Sequence, residues 1–182
     1  MLNLFKPTWM VEAIYQITPE QLNEHGIKAV LTDLDNTLIA WNNPNGTEEL
    51  IAWISAMKTA DIPIVILSNN NDERVKRVAD VLGVRYVARA LKPLSKGFNE
   101  ATRGLELSKE EILMVGDQIM TDIWGANLAG IRNVLVKPIL NSDAWNTKIN
   151  RFFELHIMNH LIKKDPNMRW RTSIHDKDRV KD

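Results

Sequence analysis

The chain alternates short, continuous apolar runs with amphipathic segments, and this alternation constrains its fold more than any other property. The runs Ile27–Leu31, Ile62–Leu67, Val84–Val87, Ile112–Val115 and Val134–Val136 are rich in β-branched residues and lie close to Gly, Asn or Asp, as buried strands do. The segments between them read as helices with defined ends. Thr47, Glu48 and Glu49 form a capped start ahead of Leu50, Ile51, Trp53, Ile54 and Met57, and Val75, Val78, Ala79 and Leu82 keep helical spacing up to Gly83. Ser108 and Glu111 have capping-box spacing, and Gly104 sits where the preceding helix should end. Continuous apolar strands separated by helices predict an α/β fold. Its form is a Rossmann-like three-layer sandwich with a central parallel sheet of five strands or slightly more.

The flanks read differently. Pro7 to Gly26 predicts one or two short helices, with Thr18, Pro19 and Gln21 as a capping box, inside an N-terminal helical segment 1–26. Ile149, Phe152, Phe153, Ile157 and Leu161 predict an amphipathic helix over 147–162 that docks on the domain. The last 20 residues, from Lys163, hold seven basic and four acidic side chains and predict an extended or poorly ordered tail, 163–182. A chain of 182 residues with no linker long enough to divide it is one domain, 1–162, and buries roughly 70% of its unfolded surface without staples. The absence of cysteine excludes disulfides, thiolate metal sites and a cysteine nucleophile. A formal net charge of zero gives no strong nucleic-acid signal. With no apolar run of 18 residues and no signal peptide, the expectation is a cytoplasmic protein without an integral membrane segment.

A parallel sheet binds ligands beyond the carboxyl ends of its strands, so the residues just after each run carry the chemistry. Asp33 and Asp35 follow the first, Ser68, Asn69 and Asn70 the second, Lys92-Pro93 the third, and Gly116-Asp117 the fourth, with Asp122 five residues beyond. Three carboxylates, a hydroxyl and a lysine at one edge can hold a hard divalent cation through oxygen, and a phosphoryl group through the lysine, the hydroxyl and backbone N–H groups. An Asp-x-Asp pair alone is usually a solvated turn or a helix cap. Four such features in order, each at a strand end, are specific for phosphoryl transfer.

Those four segments, Asp33-Leu34-Asp35-Asn36-Thr37-Leu38, Ser68-Asn69-Asn70, Lys92-Pro93 and Gly116-Asp117 through Asp122, resemble the ordered motifs of the haloacid dehalogenase superfamily. The match is to its capless class III A phosphatases, and among them to the bacterial YqeG-type family, itself similar to phosphatidylglycerophosphate phosphatases. The resemblance spans about residues 27–136 and implies a capless haloacid dehalogenase-like fold. By residue, it implies Asp33 as the nucleophile that forms an aspartyl phosphate, and Asp35 as general acid and then base. Magnesium is implied as the cofactor, held by Asp33, the carbonyl of Asp35 and Asp117. Thr37, Ser68, Asn69 and Lys92 are implied as phosphate-binding, and Asp122 as the partner that orients Lys92 or the metal's waters. Lys96, four residues from Lys92, is the competing lysine, and Lys92 is preferred because Lys-Pro directly follows the strand.

Blander readings cover the remaining features. His156 and His160 are four apart on a helix but have no third ligand, so they read as helix surface. Trp9, Trp41, Trp53, Trp124 and Trp145 read as packing residues. Leu2, Leu4, Phe5, Lys6, Trp9 and Met10 read as core docking, and Arg169, Trp170 and Arg171 as a solvated tail, with membrane contact the sharper alternative for both. A receiver domain uses similar groups, but there the phosphorylated Asp lies on a middle strand and the lysine comes late, whereas here Lys92 precedes the final Asp, Asp117. A non-catalytic scaffold or assembly protein would not need both Asp33 and Asp35. The 30 residues between Thr37 and Ser68 and the 23 between Ser68 and Lys92 leave no room for a lid domain. An open site expects a substrate carried on something large, or a lid lent by another subunit of a homo-oligomer. A phospholipid head group at the inner face of a membrane fits, as does a phosphorylated protein or nucleic-acid end. The resemblance favours phosphatidylglycerophosphate.

Overall fold

Side chains alternate across a strand, and both faces of every central strand here are apolar, so the sheet needs a cover on each side. The computed structural model, which describes residues 2–40, 47–140, 145–165 and 167–175, shows that arrangement. Six parallel strands, β1 (Trp9–Val11), β2 (Ala29–Thr32), β3 (Ile64–Leu67), β4 (Arg85–Val87), β5 (Ile112–Gly116) and β6 (Arg132–Val136), lie in the order β1-β6-β5-β2-β3-β4. The helices are α1 (Pro19–Glu24), α2 (Glu48–Thr59), α3 (Asp72–Leu82), α4 (Ser95–Thr102), α5 (Trp124–Ala129) and α6 (Trp145–Lys164). Val30, Ile64, Ile66, Leu113 and Val115 face one core with Leu50, Trp53, Ile54 and Met57 of α2 and Val75, Val78 and Leu82 of α3. Their neighbours Ala29, Leu31, Val65, Leu67 and Met114 face the other, with Phe98 and Ala101 of α4 and Ala126 and Ala129 of α5.

Helix ends follow the sequence signals. Thr18 caps α1 by accepting from Gln21 N, Thr47 caps α2 by accepting from Leu50 N, and α3 stops at Gly83 in the left-handed region, φ +61°. The Ser108–Glu111 box caps a single 3-10 turn, Lys109–Glu111. Trp53, buried in the α2 interface, donates from Nε1 to the Ile17 carbonyl at 2.7 Å, a bond that contributes about 1 kcal/mol.

The structure corrects the sequence reading at both flanks. One or two short helices are expected over 7–26, and the turn Ile14–Gln16 and α1 are there, but Trp9–Val11 form an unforeseen edge strand paired in parallel with β6, with Trp9 opposite Val134 and Val11 opposite Val136. Residues 167–175 belong to the segment expected to be an extended or poorly ordered, solvated tail. Instead they lie along the other side of β1: Arg171 N donates to Met10 O at 3.0 Å and Glu12 N to Arg171 O at 3.1 Å. Met168 is buried beside Met10, Leu135 and Leu161, and Ile174 is fully buried in the first core. Gln21 does not close its capping box; its Oε1 accepts from Ile174 N at 3.4 Å. Helix α6 is present and runs two residues past its expected ends on each side, with Leu161 buried and His156 and His160 exposed. Trp9 and Trp53 are buried and Trp124 half-buried, while Trp41 and the side chains of Trp145, Ile149, Phe152 and Phe153 lie outside the described residues. Among the described residues, no helix is long and apolar enough to cross a membrane.

Ile174→Ala tests the docked C-terminal segment. Truncating a fully buried isoleucine costs about 2–5 kcal/mol, so the urea midpoint should fall. An unchanged midpoint would show that this segment does not contribute to the core.

Candidate active site

The chain runs from β2 outward to β3 and β4, then returns to lay β5 on the opposite side of β2, which makes the gap between β2 and β5 the switch point of the sheet. Asp33 directly follows β2 and Asp117 directly follows β5, and the two ends are joined by Asp33 N donating to Val115 O at 2.9 Å. On the other flank, Ser68 N donates to Val87 O and Ala90 N to Ser68 O, both at 3.0 Å, so the loop leaving β4 is tied to the turn leaving β3. Asn69 completes the clamp: its Oδ1 accepts from Lys92 N at 2.7 Å, and its Nδ2 donates to Lys92 O at 3.0 Å. With both ends of its amide engaged, Asn69 positions the lysine's main chain.

The clamp aims Lys92 inward. Its side chain is 2% exposed, and Nζ lies 2.6 Å from Asp33 Oδ1 and 2.7 Å from Asp122 Oδ1. Lys96 is exposed on α4, away from this contact. Asp122 is turned back toward the sheet by an irregular helical turn, Ile119–Ile123, where its Oδ2 accepts from Gln118 N at 3.1 Å. That return needs Gly116, since a Cβ there would lie 2.3 Å from the Asp122 carboxyl carbon. Thr37, also buried, donates from Oγ1 to Asp117 Oδ1 at 3.3 Å and holds the second strand-end carboxylate in place. Ser68 is buried, and its Oγ accepts from Asn70 N at 3.1 Å.

Electrostatics sharpen the picture. Burial pushes the Asp33 carboxyl up from the usual range to about 7, with the Lys92 ammonium opposing and the Asp122 carboxylate reinforcing the rise. For Lys92, burial acts to lower the pKa, but the carboxylates of Asp122 and Asp33 together outweigh it and raise the value above that of an ordinary lysine. One carboxylate oxygen from each of Asp33, Asp117 and Asp122 lies within 4.8 Å of the others. Once all three are ionised, three carboxylates against one ammonium leave an excess of two negative charges in a buried pocket. Hard oxygen donors with that excess fit a divalent cation such as magnesium. Because both oxygens of Asp122 are already engaged, Asp33 and Asp117 are the carboxylates suited to touch such an ion.

Asp35 sits further out, with a quarter of its side chain exposed. Its Oδ2 accepts from Asn70 Nδ2 at 3.0 Å, and its Oδ1 from Arg74 Nε at 3.1 Å and from a second guanidinium nitrogen. Arg74 was missed in the sequence. The available signal was a basic residue in the first turn of α3, where the helix dipole favours acidic ones.

Comparison with known proteins agrees with this geometry. Residues 2–130 match the haloacid dehalogenase-like hydrolase family. The chain is 43% identical over 166 residues to the Bacillus subtilis (strain 168) protein named "Probable phosphatase YqeG", covering 91% of this chain and 96% of that one. It is 26% identical over 168 residues to phosphatidylglycerophosphate phosphatase 1, chloroplastic/mitochondrial, of Arabidopsis thaliana, covering 87% of this chain but only 48% of that protein. Among solved structures, the cobalt-bound deoxy-D-mannose-octulosonate 8-phosphate phosphatase of Haemophilus influenzae shares the fold. Its TM-score is 0.50 at 19% identity, over 64% of this chain and 70% of that one.

The raised Asp33 pKa predicts a pH dependence of stability. Its native value of about 7 exceeds the ~3.9 of an unfolded chain, so between these values the native state binds the extra proton. The stability contributed by this group is therefore full at low pH and lost as pH rises through about 7. Comparing urea midpoints near pH 5 and pH 8 in the presence of a chelator, Asp33→Asn should fall less with pH than wild type; equal slopes would show that Asp33 is not the group responsible.

Proposed function

The chain belongs to the haloacid dehalogenase-like hydrolases, and on that premise we propose that it is a magnesium-dependent phosphatase that hydrolyses a phosphate monoester through an aspartyl-phosphate intermediate. The observation that carries this reading is the buried Lys92 ammonium 2.6 Å from Asp33, across the β2–β5 switch point from Asp117.

In the reaction, an Asp33 carboxylate oxygen attacks phosphorus while the bond to the leaving oxygen breaks. Asp35 delivers a proton to that oxygen, then accepts one from the water that cleaves the acyl phosphate. A carboxylate nucleophile divides a very slow displacement into two easier ones. The Lys92 charge stays with the nucleophile and the phosphoryl oxygens as charge spreads over them, stabilising the transition state more than the ground state. Ser68 supplies a hydroxyl to the phosphoryl group, Asn69 keeps Lys92 in line, Thr37 orients Asp117, and Asp122 orients Lys92. Asp33, Asp117 and the Asp35 carbonyl are the groups suited to hold magnesium, which when bound balances the pocket's negative charge and polarises the phosphoryl oxygens.

For the substrate we favour a phospholipid head group, phosphatidylglycerophosphate, met at a membrane surface. A groove of about 310 Å³ supports this: its lining includes Asp117 and Glu154 but is otherwise apolar, with Ile119, Leu135, Met158 and Trp170 among its residues. Leu155, 63% exposed, and Trp170, 38% exposed, add to a mainly apolar surface that a sugar phosphate or nucleotide would not use. The described stretches between Thr37 and Lys92 contain α2, β3, α3 and β4 and no lid domain, which also suits a substrate held by a larger body.

Asp33→Asn should abolish magnesium-dependent hydrolysis of an aryl phosphate with the circular dichroism unchanged; retained turnover would overturn the nucleophile assignment. Phosphate release from phosphatidylglycerophosphate in mixed micelles should exceed that from a panel of soluble sugar and nucleotide phosphates. Equal or faster turnover of the soluble panel would remove the lipid reading.

A further inference from the structure

We propose that Arg74 selects substrates whose leaving alcohol carries a second, non-scissile anion, by exchanging its contact with Asp35 for a contact with that anion. This rests on the phosphatase reading above and adds a specificity-determining residue to it.

Both Asp35 oxygens are taken, Oδ2 by Asn70 and Oδ1 by two guanidinium nitrogens of Arg74. These donors crowd both oxygens of the carboxyl, so a leaving oxygen that comes within proton-transfer distance of Asp35 displaces at least one of them. Of the two, Arg74 is the mobile partner. Asn70 is fixed in the turn after β3, where its N–H binds Ser68 Oγ and its carbonyl accepts from Arg89 N at 3.0 Å. Arg74 reaches Asp35 along a flexible side chain from the first turn of α3, and both members of the pair are about one-quarter exposed.

A guanidinium keeps its charge at any working pH and needs an acceptor when it leaves one. The scissile phosphoryl group is committed to Lys92 and the Asp33–Asp117 side of the cleft. Asp35 is more exposed than Asp33 and faces the leaving oxygen in this mechanism, so an anion within reach of Arg74 belongs to the leaving alcohol. Arg89, exposed in the segment bound to Asn70, adds a second cation to the same rim. A phosphodiester or carboxylate on the alcohol would take up the guanidinium bidentately and leave Asp35 to the leaving oxygen.

Three soluble substrates with related leaving alcohols test this on the full chain with magnesium: glycerol 3-phosphate, the same compound with a methyl phosphodiester on its free primary hydroxyl, and 3-phosphoglycerate. Wild type should favour the anion-bearing substrates in kcat/KM, and the diester and carboxylate arms show which anion is preferred. Arg74→Gln should cut that preference about tenfold or more, mainly through KM, and Arg74→Lys should restore part of it. A preference unchanged by Arg74→Gln, or equal losses on all three substrates, would overturn the proposal, the second outcome assigning Arg74 to the scissile phosphoryl group or to Asp35 alone. Failure of the underlying phosphatase reading shows separately, as turnover that persists in Asp33→Asn.

Discussion

One buried ammonium holds three loops in register. Lys92 arrives from the loop after β4, Asp33 from the end of β2 and Asp122 from the turn after β5, and all three meet within hydrogen-bond distance in a pocket nearly closed to water. A lone ammonium there would carry a desolvation penalty of several kcal/mol, and two carboxylates without it would repel one another at close range. Each charge is tolerable only because the others are present. Much of the surrounding local structure serves this contact: the Asn69 clamp on the Lys92 main chain, the missing Cβ at Gly116, and the turn that sends Asp122 back to the sheet.

The positions of these groups were legible in the sequence for a topological reason. A parallel sheet carries every strand's carboxyl end to one edge, so Asp33, Ser68, Lys92 and Asp117 were bound to converge once the apolar runs were read as strands. Strand starts were less legible. Ile27, Ile62 and Val84 belong to the buried or half-buried approaches to β2, β3 and β4, where apolar character reports burial and not hydrogen-bonded pairing. Three residues of β1 are too few to display a period, and what makes them a strand is β6, more than a hundred residues away. The docked C-terminal segment is hidden for a similar reason. Met168 and Ile174 are isolated apolar residues in a charged stretch, and only the tertiary fold offers them a place. Within the site, the type of each residue was readable but the division of labour was not. Asn69 and Thr37 look like groups for an incoming phosphate, yet their hydrogen bonds go to Lys92 and Asp117, and Arg74 enters only through the side-chain geometry of Asp35.

The sheet also shows how a site can be open without being loosely held. Its walls are strand ends buried on both faces, while the rim is made of the first turn of α3, the segment around Arg89 and the groove beside α6. Rigidity is concentrated where charge must be fixed, and exposure lies around it at the rim.

The edge at β1 has a consequence for the order of events during synthesis. Trp9–Val11 are made more than a hundred residues before either of their partners, β6 at residues 132–136 and the segment around Arg171. Until those partners are made this strand has neither neighbour, and its backbone groups are open to any other extended chain in reach. The hydrophobic cover that α1 and β2 begin to build can form early, but β1 joins the sheet only with β6 and is covered on its other side only when the segment around Arg171 lies down beside it. Sequence-distant closure of this kind makes folding slow relative to a locally wired sheet.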